Sequence, residues 1–120
     1  MSKTALFSKY DNNPKIKGIA QHLQNRETKI HLKGLIGSSL SFVIRSLFEK
    51  SELPFLIMLQ DKEEAAYYLN DLEQLIGEKD VLFYPGSYRR PYQIEETDNA
   101  NILLRAEVLN RINSRKKPSV

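Results

Sequence analysis

The stretch Gly34-Leu35-Ile36-Gly37-Ser38-Ser39-Leu40-Ser41 decides how the chain is interpreted, because it joins a predicted strand to a predicted helix. The strand is the alternating run at 28–33, and the helix extends from about Ser39 to Lys50. A strand, a glycine-containing loop and a helix form the context of a phosphate-binding P-loop. The sequence therefore predicts the frame of a nucleotide-binding unit.

This glycine loop, residues 34–41, lacks the residues that do the chemistry of a P-loop. In the pattern G-x-x-x-x-G-K-[ST], Ser39 occupies the second glycine position, Leu40 replaces the lysine and Ser41 matches the last position. Leucine cannot supply the positive charge that meets the β- and γ-phosphates. The loop is interpreted as an inactive, degenerate P-loop, and an ordinary strand-to-helix turn with a serine cap is the alternative. The candidate cofactor-binding residues are Gly34, Gly37, Ser38, Ser39 and Ser41.

Length and composition limit the classes of protein to which the chain can belong. Its 120 residues suit one domain or part of one, and 41% apolar with 28% charged residues is ordinary for a globular chain. The absence of cysteine excludes disulfides and thiolate metal sites. A formal charge of +3 permits contact with nucleic acid without arguing for it. The longest apolar run, at 53–59, is too short to span a bilayer.

Helix signals recur along the chain. Asn13-Pro14 predicts a helix that ends near Asn25, and residues 1–12 read as a loose polar lead-in. Asp61 predicts the start of another helix, which Gly77 ends. A last helix is predicted after Asp98, with four residues facing inward, namely Leu103, Ala106, Leu109 and Ile112.

Strand signals alternate with these helices. The continuous apolar run at 55–59 is typical of a strand buried on both faces, and residues 81–84 predict another strand. Residues 118–120 read as the entry to a fourth strand. The alternation predicts an α/β fold, a three-layer parallel sheet with flanking helices and right-handed crossovers, incomplete at its C-terminus.

A second candidate site is the loop Ser87-Tyr88-Arg89-Arg90-Pro91-Tyr92. Aromatic rings can stack on bases and arginines can meet phosphates, so nucleic-acid or partner contact is predicted for Tyr88, Arg89, Arg90 and Tyr92. The alternative is a rigid surface loop whose arginines pair with nearby glutamates. No metal site is predicted, because His22 and His31 have no companion ligands at suitable spacing. The tyrosines at 67 and 68 are expected to pack, and Asp71 is expected on an exposed helix face.

Several short blocks, in this order, resemble the N-terminal segment of the bacterial transcription-repair coupling factor (Mfd) family. They are Gly34-Leu35-Ile36-Gly37-Ser38-Ser39, Asp61-Lys62-Glu63-Glu64-Ala65, Asp80-Val81-Leu82-Phe83-Tyr84-Pro85, Arg89-Arg90-Pro91-Tyr92, Glu96-Thr97-Asp98-Asn99-Ala100-Asn101 and Leu104-Arg105-Ala106-Glu107-Val108-Leu109. The resemblance covers most of the chain from Ile30 onward. That family segment is itself similar to the damage-verifying B component of excinuclease ABC, the bacterial nucleotide-excision nuclease.

The resemblance implies a degenerate P-loop NTPase, helicase-like domain at 26–120 that follows an N-terminal lead-in and helix at 1–25. It implies a non-catalytic part, needing no cofactor, of a cytoplasmic ATP-dependent DNA translocase. Such a protein couples removal of stalled RNA polymerase to nucleotide-excision DNA repair. Its implied partners are other domains of the same chain, the A component of the excinuclease, RNA polymerase and DNA, with no membrane.

Two other functions remain open from the residues alone. One is an active P-loop enzyme, against which Leu40 argues directly. The other is a stand-alone nucleic-acid-binding module that uses the basic-aromatic loop at 87–92.

Overall fold

The computed structural model describes residues 2–86, 99–115 and 117–120, and within these ranges the chain forms α-helices and no β-strand. The helices are α1 (Lys3–Asp11), α2 (Pro14–His22), α3 (Ser39–Ser51), α4 (Lys62–Leu75) and α5 (Asn99–Ser114).

Helix α3 lies at the centre, because α1, α2 and α4 all pack against it. Its side chains at 43, 44 and 47 are buried. Two clusters form the core, and α3 contributes to both. Val43 and Leu47 pack with Ile16 of α2, whereas Ile44 packs with Leu72 of α4 and with Val81.

Helix α1 corrects the prediction of a loose lead-in at 1–12. Ser2 caps it by accepting a hydrogen bond from the Ala5 N–H, and its aromatic rings lie on Phe42 of α3. Tyr10 stacks on Phe42 with ring centroids 5.1 Å apart. The helix has no buried residue of its own and little apolar periodicity, so contacts with α3 stabilise it. Such contacts are invisible in local sequence.

The predicted starts of α2 and α4 are confirmed by their caps. The Asn13 side chain accepts from the Lys15 N–H at 2.9 Å, with Pro14 in the first turn. The Asp61 carboxylate accepts from the Glu64 N–H at 2.8 Å. Helix α4 ends just before Gly77, whose φ of +116° suits a glycine. Helix α2 ends at His22, three positions short of the predicted end.

The predicted three-layer parallel sheet is wrong. Residues 28–33, 55–59 and 81–84 were each expected to be strands, and all three are irregular in the structure. Segment 53–59 keeps an alternating burial pattern, with Leu56 and Met58 85% and 86% exposed. Phe55 and Ile57 pack inward on the helical core. The predicted helicase-like fold requires this sheet, so it is wrong as well.

The hydrogen bonds of the irregular segments explain why no strand forms within the described ranges. The Phe55 N–H donates to the Ser119 carbonyl at 2.9 Å. Val120 accepts from the Leu82 N–H at 2.8 Å and donates to the Asp80 carbonyl at 2.9 Å. Residues 119 and 120 thus lie between two segments. A strand needs a repeated ladder of such bonds, and these isolated pairings do not build one.

The face of α5 that is turned toward the rest of the protein is not the one predicted. The inward residues predicted at 103, 109 and 112 are 69%, 52% and 55% exposed, whereas Val108 is buried. Arginines hold the inner side instead. Arg105 lies over the Tyr84 ring, 4.9 Å from its centre. Arg111 donates a hydrogen bond to the Lys79 carbonyl. Arg115, which directly follows the helix, donates to the same carbonyl and forms an ion pair with Asp80. The backbone of α5 stays clear of the other four helices.

No helix in the described ranges is long and apolar enough to cross a membrane.

A polar clamp joins the end of α1 to α3. Asp11 accepts a hydrogen bond from Ser46 Oγ at 2.6 Å and from Arg45 Nη1 at 3.2 Å. The Arg45 guanidinium also lies 3.8 Å from the centre of the Phe7 ring. Burial raises the pKa of Asp11, but the Ser46 hydrogen bond and the positive charges of Arg45 and Lys50 outweigh it. The pKa of this carboxyl therefore lies below its ordinary value.

Replacing Asp11 with asparagine should lower the free energy of unfolding near pH 7 by about 1–2 kcal/mol, because a charge-assisted hydrogen bond is lost. A carboxyl with a depressed folded-state pKa stabilises the fold above its unfolded pKa and loses that contribution as pH falls through the folded pKa. The difference between wild type and Asp11→Asn should therefore shrink in acid. Urea unfolding at several pH values measures it. Glu49→Gln, an exposed change of the same charge, is the control, and an equal loss for both variants would contradict the clamp.

Candidate anion site at the glycine loop

The glycine loop reaches α3 through two left-handed residues. Gly34 has a φ of +81° and Gly37 a φ of +56°. A side chain at either position would be strained by the backbone conformation, although a Cβ would meet no neighbour within 4 Å. These two glycines set the path of the chain into the helix.

The serine hydroxyls of the loop are committed to protein partners. Ser39 Oγ accepts from the Ile36 N–H at 2.8 Å, and the Ser39 N–H donates back to the Ile36 carbonyl at 3.2 Å. This reciprocal pair closes the loop on itself at the point where a P-loop would open toward a phosphate. Ser38, at the cap position of α3, makes no side-chain bond to the helix.

Helix α4 supplies the remaining partners of the loop. Ser38 Oγ and Tyr67 Oη share a hydrogen bond of 2.8 Å. Ser41 is completely buried and donates to Asp71 Oδ2 at 3.3 Å. The residue at the Ser/Thr position of the P-loop pattern therefore faces a carboxylate of α4, not solvent.

Leu40, at the position of the P-loop lysine, packs into the apolar cluster around Ile44, Leu72 and Val81. The direction of the Leu40 side chain argues against a phosphate site as strongly as its lack of charge does. A side chain that enters the core from this position cannot reach a ligand bound at the mouth of the loop.

The electrostatics of the site oppose tight anion binding. Backbone N–H groups at the start of a helix can hold a sulfate or phosphate weakly. The α4 groups bonded to Ser38 and Ser41 are the Tyr67 hydroxyl and the Asp71 carboxylate, and the charge of that carboxylate repels an anion. The arrangement can position α4 on α3, and Leu40 at the position of the P-loop lysine supplies no cation for phosphate chemistry.

Tyr67 and Asp71 are the site residues that sequence reasoning missed. Tyr67 was expected to pack and Asp71 to lie on an exposed face. The two residues are four apart and share one face of α4, which is visible in the sequence. Nothing in the sequence shows that this face meets the glycine loop, because that depends on how α4 packs against α3.

The other predicted contact residues, Tyr88, Arg89, Arg90 and Tyr92, lie outside the described residues, as does the predicted cap Asp98. The structure therefore places the five glycine-loop candidates together and does not bear on the basic-aromatic loop. Across the described ranges, no three His, Cys, Asp or Glu side chains are grouped closely enough to hold a metal ion.

Comparison of the chain with protein-family models, curated proteins and solved structures found no match.

Restoring the P-loop lysine should not restore a nucleotide site. Leu40→Lys should lower the free energy of unfolding by about 1–3 kcal/mol, because it places a charge where an apolar side chain packs. Isothermal titration should detect no Mg-ATP binding by the variant. Ile36→Lys is the matched control, since Ile36 is 85% exposed in the same loop, and it should leave stability nearly unchanged. Tight Mg-ATP binding by Leu40→Lys would contradict the closed geometry of the loop.

Proposed function

We propose that this chain is a non-catalytic docking domain related to the N-terminal segment of bacterial transcription-repair coupling factors. Its role would be to support neighbouring domains and partner contacts while ATP-driven translocation takes place elsewhere. The proposal assigns it no cofactor, no catalytic residue and a cytoplasmic location.

The observation that carries the non-catalytic part is the closure of the glycine loop by α4. Ser38 and Ser41 are bonded to Tyr67 and Asp71, and Leu40 packs into the core. P-loop catalysis needs a lysine on the phosphates and a free hydroxyl for the metal ion. With those positions used to join two helices, the loop serves the fold and not hydrolysis.

The family part of the proposal rests on the order of the residue blocks. The helical arrangement removes the helicase-like fold as an argument, so the A component of the excinuclease, RNA polymerase and DNA are proposed as partners from sequence resemblance alone. A docking role is supported by large apolar side chains left on the surface. Leu56 and Met58 both project from segment 53–59, and exposed apolar side chains that lie together can mark a site of protein–protein contact.

The alternative is a stand-alone nucleic-acid-binding module. Its candidate contacts are Tyr88, Arg89, Arg90 and Tyr92, and the net charge of +3 gives it little long-range attraction for DNA. A protein-docking role is therefore preferred.

The docking proposal predicts binding to the purified A component of the excinuclease, with a dissociation constant of about micromolar strength, and no ATP turnover by the chain itself. Biolayer interferometry measures the binding. Leu56→Ser with Met58→Ser should weaken it if this surface docks, whereas Ile36→Ser, equally exposed, serves as the control. ATP turnover that disappears in Ser41→Ala would overturn the non-catalytic assignment, and absence of binding to the A component would count against the family assignment.

Anisotropy titrations against duplex and single-stranded DNA at two salt concentrations distinguish the nucleic-acid-binding alternative from the docking proposal. Negligible binding is expected. Salt-sensitive binding that is lost when Arg89 and Arg90 are changed to alanine would favour the nucleic-acid-binding module. In that case the slope of log affinity against log salt should fall by about one for each phosphate contact removed.

A further inference from the structure

A second candidate surface lies away from the glycine loop, where α4, residues 78–83 and α5 surround an open cleft of about 350 Å³. This volume is at the lower end of the roughly 300–1,000 Å³ usual for ligand sites. In the described part of the chain no backbone contact joins α5 to α4, and the cleft lies between these two helices.

Part of the cleft lining is apolar. Leu69 of α4 and Val81 form one side, and Leu104 and Val108 of α5 form the other. Val81 and Val108 are buried, whereas Leu104 is 39% exposed. An entering apolar side chain would therefore be surrounded by aliphatic groups.

The charged side chains of the cleft are mostly acidic. Among the described residues, Glu73, Glu78 and Glu107 line it together with a single cation, Arg111. Arg111 is already engaged, since it donates to the Lys79 carbonyl at 3.3 Å and lies 3.9 Å from Glu107 Oε1. Glu73 and Glu78 have no cationic partner in the part of the chain that the structure describes. Three carboxylates against one guanidinium leave this lining with a formal charge of −2.

We infer that this cleft binds a basic amphipathic helical segment of a partner protein. Apolar side chains of the segment enter between Leu69 and Leu104, and its lysines or arginines pair with Glu73 and Glu78. Helix-in-groove recognition uses this combination of an apolar strip and flanking charges. Charge complementarity selects the occupant, because an acidic or uncharged apolar segment would leave the two carboxylates unpaired at the contact. The inference does not depend on the family resemblance or on the proposed docking of the excinuclease A component.

The test uses two fluorescein-labelled amphipathic helical peptides, one of leucine and lysine and one of leucine and glutamate, titrated into the full chain by anisotropy. The lysine peptide should bind and the glutamate peptide should not. Glu73→Gln with Glu78→Gln should weaken binding about five-fold and reduce its salt dependence, because two ion pairs are lost. Glu49→Gln with Glu63→Gln removes the same charge from exposed sites outside the cleft and should change affinity much less.

A second pair of variants tests the apolar wall. Leu104→Ser should weaken the lysine peptide about ten-fold, whereas Leu109→Ser, on the outward side of α5, should not. Circular dichroism confirms that each variant is folded. Equal binding of the two peptides, equal effects of the two charge variants, or equal effects of the two serine variants would each overturn the inference. Sedimentation showing that a second copy of the chain fills the cleft, with self-association lost in Leu104→Ser, would overturn it as well.

Discussion

Burial of α3 on several sides is the constraint on which α1, α2 and α4 depend. Buried polar groups must be hydrogen-bonded, and two completely buried residues of α3 are serines. Ser46 donates to Asp11 at the end of α1, and Ser41 donates to Asp71 in α4. Each hydroxyl therefore selects one neighbouring helix and fixes its position. Apolar contacts hold the helices together, and these two hydrogen bonds fix the positions of α1 and α4 on α3.

The sequence predicted the elements whose signals are local. Asn13-Pro14, Asp61 and Gly77 mark helix ends through side-chain and backbone chemistry within a few residues, and the structure keeps all three. The strand predicted at 55–59 is wrong, because length and composition cannot separate a strand from an irregular segment that packs on helices. The predicted face of α5 is wrong for a related reason. Its orientation is set by the Tyr84 ring, the Lys79 carbonyl and the Asp80 carboxylate, all distant in sequence.

The glycine loop shows the same limit at the level of a site. Leu40 in place of lysine is visible directly in the sequence, and it already argues against hydrolysis. The closure of the loop by Tyr67 and Asp71 is not visible there, because it requires α4 to lie across the start of α3. Local chemistry thus indicates what the loop lacks, and tertiary packing determines what the loop does instead.

The separation of α5 from the other helices has a consequence for how the molecule opens. Proteins unfold in cooperative units, and an element with few buried apolar contacts opens at a lower free energy than the core. Among the contacts between described residues, Val108 and arginine contacts to residues 79, 80 and 84 hold α5, whereas α1, α2 and α4 share the core with α3. Amides of α5 should therefore exchange with solvent in a sub-global step in which α1 to α4 stay folded.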